Sequence, residues 1–170
     1  MVNAKTMKAI LPALDQIWKW LEQVADPEIP VLSVVDLGIV RDLSWREERG
    51  EPQLVVTITP TYSGCPATAV IKKEIGTALR QRGIPDLRIE TQLSPAWTTA
   101  WLSAQGKERL RKYGITPPHL GGREISDGAI ECPRCGSKNT RMVSPFGSTP
   151  CKAFCICETC REPFDYFKCH

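Results

Sequence analysis

The sequence contains little histidine and no long apolar run, and these absences exclude several classes of protein. Its two histidines are His119 and His170, so a hydrolytic pair of cysteine and histidine is not expected. No segment approaches the roughly 18 apolar residues of a membrane-spanning helix. Pro12, Asp15 and Lys19 interrupt the N-terminal segment, which therefore does not resemble a signal peptide. We expect a cytoplasmic protein.

Charge and composition indicate a packed protein without a strongly basic surface. The net charge of +3 is too small to indicate binding of nucleic acid through a dense row of cations. The hydrophobic fraction of 42% is near the globular average. The 170 residues allow one domain of roughly 100 to 130 residues with a small appendage. In a reducing cytosol, eight cysteines are expected to be metal ligands or reactive thiols and not disulfides.

Hydrophobic periodicity predicts a small α/β (α+β) domain over residues 1–104. Apolar residues at helical spacing predict a first helix over 12–25. Strands over 38–46 and 53–59 are joined by a charged turn and are expected to form a hairpin. After a second helix, alternation over 87–93 predicts a third strand, parallel to the strand before the helix because such units close right-handed. The prediction is a three-stranded sheet with packed helices.

Residues 105–130 separate this domain from a cysteine-rich end. The segment 105–113 is predicted to be helical. The following stretch, "GITPPHLGGREISDG", is rich in proline and glycine and lacks periodicity, so it predicts a linker. The domain boundary is placed there, and residues 131–170 form the second domain.

Two C-x-x-C pairs, Cys132 with Cys135 and Cys157 with Cys160, predict a zinc ribbon. They are separated by 21 residues, and two such turns supply the four sulfurs of a tetrahedral structural zinc site. About forty residues bury too little apolar surface to fold unaided, so metal binding is expected to hold the ribbon together. An iron–sulfur cluster on the same four thiolates is the alternative, because soft sulfur ligands suit both.

Three further cysteines lie outside these pairs, namely Cys151, Cys155 and Cys169. Cys155 is predicted to be a small buried hydrophobic residue. Cys151 is a candidate for chemistry, because Lys152 beside it is expected to favour the thiolate. The aromatic ending of the chain is expected to pack over the zinc-binding turns, with a docking surface as the alternative; its residues are Phe164, Tyr166 and Phe167.

Cys65 lies between Gly64 and Pro66, where an apolar strand stops and a helix begins. Proline suits the first helical position, so Cys65 is predicted to be the N-cap, with the positive end of the helix directed at its sulfur. Such a cysteine is either a structural cap or a functional thiolate. A functional thiolate would be a nucleophile or a ligand for a metal that is taken up and passed on.

Two stretches that flank the first sheet resemble a known family. "DPEIPVLSVVDLG" from Asp26 and "TPTYSGCPAT" around Cys65 are similar to the small α/β family of metal–sulfur cluster assembly factors. In that family the characteristic cysteine corresponds to Cys65, and an acidic motif corresponds to Asp26, Pro27 and Glu28. The resemblance narrows to the PaaD family, associated with bacterial phenylacetyl-CoA epoxidase, over "SPAWTTAWLSAQGKERLRKYGI", "CPRCGS", "FGSTPCKA" and "CREPFDYFKC".

The resemblance implies an accessory or maturation role in aerobic phenylacetate breakdown. The chain lacks the repeated Glu and E-x-x-H pattern of di-iron proteins and any flavin or nicotinamide fingerprint, so it is not expected to be catalytic alone. Its implied partners are the oxygenase and reductase components or the cluster-assembly machinery, and a homo-oligomer is possible. Cys65 would be the exchange ligand. Asp26 and Glu28 would either aid metal binding or only cap a turn.

Two other functions stay open at this point. The first is a zinc ribbon that binds nucleic acid through Arg134, Lys138, Arg141 and Lys152. The second is a thiol-dependent enzyme that acts through Cys65 alone, or through Cys65 with Cys151 as the resolving thiol.

Overall fold

The structure, a computed structural model, describes residues 11–118 and 130–168. The predictions for His119, Cys169, His170 and the linker residues 119–129 lie outside these ranges. The first domain contains two helices and three strands: α1 (Leu14–Leu21), β1 (Val40–Glu48), β2 (Glu51–Ile58), α2 (Ala67–Gln81) and β3 (Leu87–Thr91). No helix within the described ranges is long and apolar enough to cross a membrane.

The first sheet has the predicted topology. β1 and β2 form an antiparallel hairpin, and β2 pairs with β3 in parallel, giving the order β1-β2-β3. The central strand β2 is buried from Leu54 to Ile58 because α2 packs against the sheet through Ile71, Ile75 and Leu79. The predicted α+β fold class, with a three-stranded sheet and a zinc-ribbon end, is confirmed.

The first helix is shorter than the predicted range of 12–25. It ends at Leu21, although Val24 is also buried. Ala25 forms an isolated antiparallel bridge with Ser33, and the N–H of Asp26 donates to the carbonyl of Leu32 at 2.8 Å. These tertiary hydrogen bonds hold residues 24–34 as a closed loop, and they replace the helical bonds that the periodicity indicates.

The second domain contains a four-stranded sheet, and one of its four strands comes from the segment that was predicted to be a linker. Its elements are α3 (Ala104–Tyr113), β4 (Ile115–Thr116), β5 (Thr140–Ser144), β6 (Lys152–Cys157) and β7 (Pro163–Phe167), with strand order β4-β7-β6-β5. The short β4 pairs in parallel with β7. The part of the predicted linker directly after α3 therefore belongs to the ribbon sheet, and the domain division itself stays a prediction.

α3 is fixed to the first domain through a buried carboxylate. Ser103 is its N-cap and accepts a hydrogen bond from the N–H of Gly106 at 2.8 Å. The hydroxyl of Ser103 donates to Asp36 at 2.9 Å, and Arg109 forms an ion pair with the same carboxylate. Asp36 is 6% exposed, so this contact holds α3 firmly against the loop before β1.

The ribbon packs on the first domain through aromatic contacts. The rings of Trp97 and Phe167 meet edge to face, with centroids 6.1 Å apart, and the indole N–H of Trp97 donates to the carbonyl of Leu37 at 2.8 Å. Phe167 and Cys151 are members of the hydrophobic core of the first domain. The two domains therefore share one core across their junction.

A second, smaller core lies inside the ribbon. It includes Cys155, Phe164 and Tyr166. Cys155 is fully buried, as predicted, and burial raises its pKa to about 11. The three aromatic residues of the chain ending are all buried, so they pack inside the protein and do not form an exposed surface.

Candidate functional site

The structure brings four of the predicted site residues to one small cavity at the domain junction. Asp26, Glu28, Cys65 and Cys151 all line a cavity of about 20 Å³. The remaining wall is largely apolar and includes Ile29, Ile39, Ile58, Ile71 and Phe167. Three segments supply the four candidates: the loop before β1, the loop between β2 and α2, and the turn before β6.

Asp26 shapes the first of these loops. Its Oδ1 atom accepts hydrogen bonds from the N–H groups of Glu28 at 2.9 Å and Ile29 at 2.8 Å. The side chain therefore performs the predicted turn-capping role. Burial raises the pKa of Asp26, while the two N–H donors and the charge of Lys152 lower it by less. A carboxyl whose pKa is raised by burial in this way is the kind of group found at functional sites.

Glu28 extends from the same loop toward the ribbon. Its Oε2 atom lies 4.0 Å from the Sγ atom of Cys151, and Thr149 Oγ1 lies 3.1 Å from that sulfur. Burial and the nearby Asp26 raise the pKa of Glu28. Glu28 thus connects the acidic motif of the first domain with a thiol of the second.

Cys151 is 5% exposed, and its burial outweighs the effect that we expected of Lys152. Burial raises the pKa of Cys151, and the charge of Lys152 lowers it by a smaller amount. The ammonium group of Lys152 is itself buried and lies 3.3 Å from a carboxylate oxygen of Asp165. The charge of Lys152 is therefore partly balanced by Asp165. Desolvation of the Cys151 thiolate has the larger effect on the pKa of Cys151.

Cys65 lies at the half-buried edge of the cavity. The helix begins at Ala67 with Pro66 at the N-cap, so the prediction that Cys65 is the N-cap is off by one residue. The cause is a tight turn before the helix, in which the carbonyl of Cys65 accepts from the N–H of Thr68 at 3.1 Å. Cys65 remains part of the cavity lining in this turn.

Tyr62 is a neighbour of Cys65 that sequence reasoning missed. The N–H of Cys65 donates to the carbonyl of Tyr62 at 3.3 Å. Burial raises the pKa of the Tyr62 phenol well above its ordinary value, and a hydrogen bond with Cys65 adds to this rise. The signal was available, because Tyr62 lies three residues before Cys65 in the same loop.

The four ribbon cysteines fit a tetrahedral zinc ion. Their sulfur atoms all lie within 4.8 Å of one another, with 3.7 Å between Cys132 and Cys160 and 3.6 Å between Cys135 and Cys157. Zinc–sulfur bonds of about 2.3 Å place the sulfurs of a tetrahedral site about 3.8 Å apart. The donor set and spacing are those of a structural zinc site, and the same thiolates also suit an iron–sulfur cluster.

Local hydrogen bonds prepare one of these thiols, that of Cys157, to bind metal. The N–H of Cys160 points at the sulfur of Cys157 at 3.5 Å. This N–H lowers the pKa of Cys157 to about 6, which favours the thiolate at neutral pH. Gly136 and Arg161, each just after a C-x-x-C pair, have positive φ angles of 73° and 65°, as the two tight turns require.

The basic residues proposed for nucleic-acid binding do not form a free cationic surface. Lys152 is 5% exposed and paired with an acid. Arg141 lies 3.2 Å from Glu158, and Arg134 lies 3.8 Å from Glu162. Phosphate binding needs a row of unpaired cations, and among these four residues only the exposed Lys138 has no ion pair within the described residues.

Two family profiles match the chain, one for each domain. Residues 14–89 match the family described as "Iron-sulfur cluster assembly protein". Residues 117–168 match the family described as "PaaD zinc beta ribbon domain". The second match agrees with structural zinc in the four-cysteine site.

The chain is also similar to two curated proteins. It is 48% identical over 160 residues to an Escherichia coli (strain K12) protein whose name describes it as a subunit of a "Putative 1,2-phenylacetyl-CoA epoxidase", covering 93% of this chain and 94% of that protein. It is 35% identical over 93 residues to the "Fe-S protein maturation auxiliary factor YitW" of Bacillus subtilis (strain 168), covering 55% of this chain and 80% of that protein.

One solved structure supports the fold of the first domain. It is a crystal structure from Bacillus anthracis described as a domain of unknown function, DUF59. The match has a TM-score of 0.50 and 26% identity, and it covers 56% of this chain and 89% of that one. The likeness concerns the fold.

Proposed function

We propose, since this chain belongs to the PaaD family of phenylacetyl-CoA epoxidase subunits, that it is an accessory maturation factor in aerobic phenylacetate catabolism. It would assist assembly of the iron–sulfur or di-iron centre of the multicomponent 1,2-epoxidase. The similarity of its first domain to iron–sulfur assembly proteins supports this role. Its partners would be the oxygenase and reductase components or the cluster-assembly machinery.

The observation that carries this proposal is the position of Cys65. Its thiol is half-buried at the edge of a cavity that Asp26 and Glu28 also line. A thiol in that position is reachable by a partner and is backed by carboxylates that attract a cation. Exchange of a metal between proteins proceeds through ligands that reach both donor and acceptor. Thiolates suit the iron of an iron–sulfur centre, whereas a di-iron centre uses carboxylates and histidines.

The side chains at this cavity would have distinct roles in the exchange. Cys65 would bind the cargo after losing its proton. Asp26 would hold the acidic loop in shape through its two N–H hydrogen bonds. Glu28 would offer its carboxylate to the incoming cation. The zinc ribbon would keep its own ion and act as a structural support.

The test is production of the epoxidase components with and without this chain, followed by separate purification of oxygenase and reductase. The measured quantities are iron content and turnover of each component. Iron-poor, inactive components that appear only without the chain support the proposal. Full iron and full activity without the chain would contradict it.

A thiol-dependent enzyme is the second candidate, because Cys65 and Cys151 line the same cavity. The raised pKa of Cys151 makes it a poor resolving thiolate. Measuring alkylation rates against pH separates the two functions, since an activated nucleophile requires an apparent pKa of Cys65 below the free value of about 8.5.

A further inference from the structure

We propose that the ribbon completes a single-ion site at the domain junction, in which Cys65, Cys151 and Glu28 bind one divalent transition-metal ion such as Fe²⁺. This inference rests on the proposed maturation function and specifies its cargo as one ion and not a preformed cluster. It assigns Cys151, a residue of the second domain, as a ligand.

The size of the cavity supports one ion. Its volume is about 20 Å³, and a single water needs roughly 10–15 Å³ on the same measure. A cluster brings several iron and sulfide atoms, so it would extend beyond this space toward solvent at Cys65. One metal ion fits without displacement of the apolar wall formed by Ile39, Ile58 and Phe167.

The chemistry of the side chains also suits one ion. Two thiols and a carboxylate form a mixed sulfur and oxygen set, which is suited to Fe²⁺, Co²⁺ or Zn²⁺ more than to Mg²⁺ or Ca²⁺. Sulfur and oxygen ligands of one tetrahedral ion lie about 3.6 Å apart. The observed 4.0 Å between Cys151 Sγ and Glu28 Oε2 requires only a small side-chain adjustment. Among the described residues only the four ribbon cysteines already lie at mutual ligand distance, so the side chain of Cys65 would have to turn toward this pair when the ion binds.

The ionisable groups around this cavity favour the binding of a cation. Asp26 and Glu28 bring two carboxyl groups beside two thiols. Asp26 and Cys151 are buried, and Glu28 and Cys65 are half-buried. Lys152 is near enough to act on these groups, but its ammonium is held by Asp165. A metal ion at the cavity would balance the negative charge that the ionised ligands would carry.

Cys151 is held in place by the fold of the ribbon. Its carbonyl accepts from the N–H of Lys168 at 3.0 Å, and the N–H of Lys152 donates to Thr149 at 3.1 Å. The turn is also closed by the N–H of Gly147, which donates to Lys152 at 2.8 Å. The ribbon therefore fixes the thiol against the first domain, and its zinc ion would organise the cargo site indirectly.

The different exposure of the two cysteines indicates the side from which an ion would enter and leave the site. Cys65 is half-buried, whereas Cys151 is almost fully buried. An ion would therefore arrive and leave on the side of the half-buried Cys65, with the buried Cys151 as the inner ligand. A partner thiolate can displace Cys65 first, while Cys151 and Glu28 still hold the ion.

The test uses the full chain with one zinc ion in the ribbon, titrated with Co²⁺ without oxygen. Co²⁺ bound to thiolate gives a charge-transfer absorption band whose intensity follows the number of thiolates. We expect one further Co²⁺ per chain, with the zinc count unchanged and an intensity for two thiolates. Cys151→Ser should halve the intensity and weaken binding at least tenfold. Glu28→Gln should weaken binding and keep the intensity.

Matched variants control for folding. Cys155→Ser changes a buried ribbon thiol that does not line the cavity, and Glu22→Gln changes an exposed glutamate. Both should bind Co²⁺ as the unmodified chain does. Zinc content and thermal unfolding identify any variant that has lost its fold, and Cys151→Ala then serves as a second substitution at the same position.

The inference is overturned if no Co²⁺ binds beside the ribbon zinc, or if folded Cys151 variants keep the full band. If either result is found together with defective maturation by Cys65→Ala, the proposed function still holds, and Cys65 is then the single thiol of the site. Normal Co²⁺ binding with full iron in components made without the chain would instead overturn the proposed function and leave the site.

Discussion

The sulfur of Cys151 in the ribbon lies 4.0 Å from a carboxylate oxygen of Glu28 in the first domain, across 123 residues of sequence. This contact joins the thiol of one domain to the acidic motif of the other at a cavity that Cys65 also lines. The ribbon is therefore part of the site and not a separate appendage. Four measurements examine the consequences, and a fifth tests the maturation role directly.

Removal of the ribbon zinc should disturb the domain junction as well as the ribbon. Structural zinc contributes on the order of 10 kcal/mol to the folding of small zinc domains, and Phe167 of the ribbon packs against Trp97. We expect Cys132→Ser to lose zinc and to change tryptophan fluorescence. Normal fluorescence in a zinc-free chain would mean that the junction forms without the folded ribbon.

Phe167 should be a main contributor to stability. It is 1% exposed and contacts Trp97, so Phe167→Ala is expected to cost about 3–5 kcal/mol in the free energy of unfolding. Phe146 is 66% exposed and makes only a cation–π contact with Lys168, so Phe146→Ala should cost less than about 1 kcal/mol. Urea unfolding measures both, and equal costs would contradict the assigned packing.

The carboxyl of Asp26 should reduce stability at neutral pH. Its pKa in the folded chain is raised above the ordinary 3.8 by burial. Its contribution to stability is therefore fully present below that ordinary pKa and is lost as the pH rises through the folded pKa. Asp26→Asn retains an oxygen for the two N–H donors and cannot ionise. We expect this variant to be more stable than the unmodified chain at pH 7, with the difference shrinking toward pH 4.

Urea unfolding across this pH range measures the effect, with exposed Asp42→Asn as the control. A stability difference that stays constant with pH would show that the charge of Asp26 is not the cause. A less stable Asp26→Asn at pH 7 would show that the ionised carboxylate strengthens the loop.

The chain should show no specific affinity for nucleic acid. Lys152 is buried, and Arg134 and Arg141 are paired with glutamates. Binding to a DNA duplex at low salt, followed by titration with salt, measures this. Tight binding with a steep loss of affinity in salt would indicate several phosphate contacts and contradict the expectation.

Local patterns were sufficient to predict most of the fold. The alternation of apolar residues in β3 predicts a strand, and the helical spacing of apolar residues in α2 predicts a helix. The structure contains both. The end of α1 was misplaced because Ala25 pairs with Ser33, a contact that helical periodicity does not reveal. The two-residue strand β4 is too short for any period to be recognised.

The candidate site was only partly predictable. The resemblance to a family indicated Cys65, Asp26 and Glu28, and the residue types indicated Cys151. That Cys151 meets Glu28 depends on how the ribbon packs on the first domain, which neither sequence spacing nor composition determines. The burial of Cys151, which outweighs the effect of Lys152 on its pKa, depends on the same packing.

The most direct test of the maturation role compares epoxidase components made with the unmodified chain and with Cys65→Ala. The separately purified oxygenase and reductase are assayed for iron and turnover, with Cys155→Ala as the control for loss of a cysteine away from the cavity. The account predicts that Cys65→Ala leaves at least one component low in iron and activity, while Cys155→Ala supports normal loading. Full iron and turnover with a folded, zinc-bound Cys65→Ala chain would contradict it.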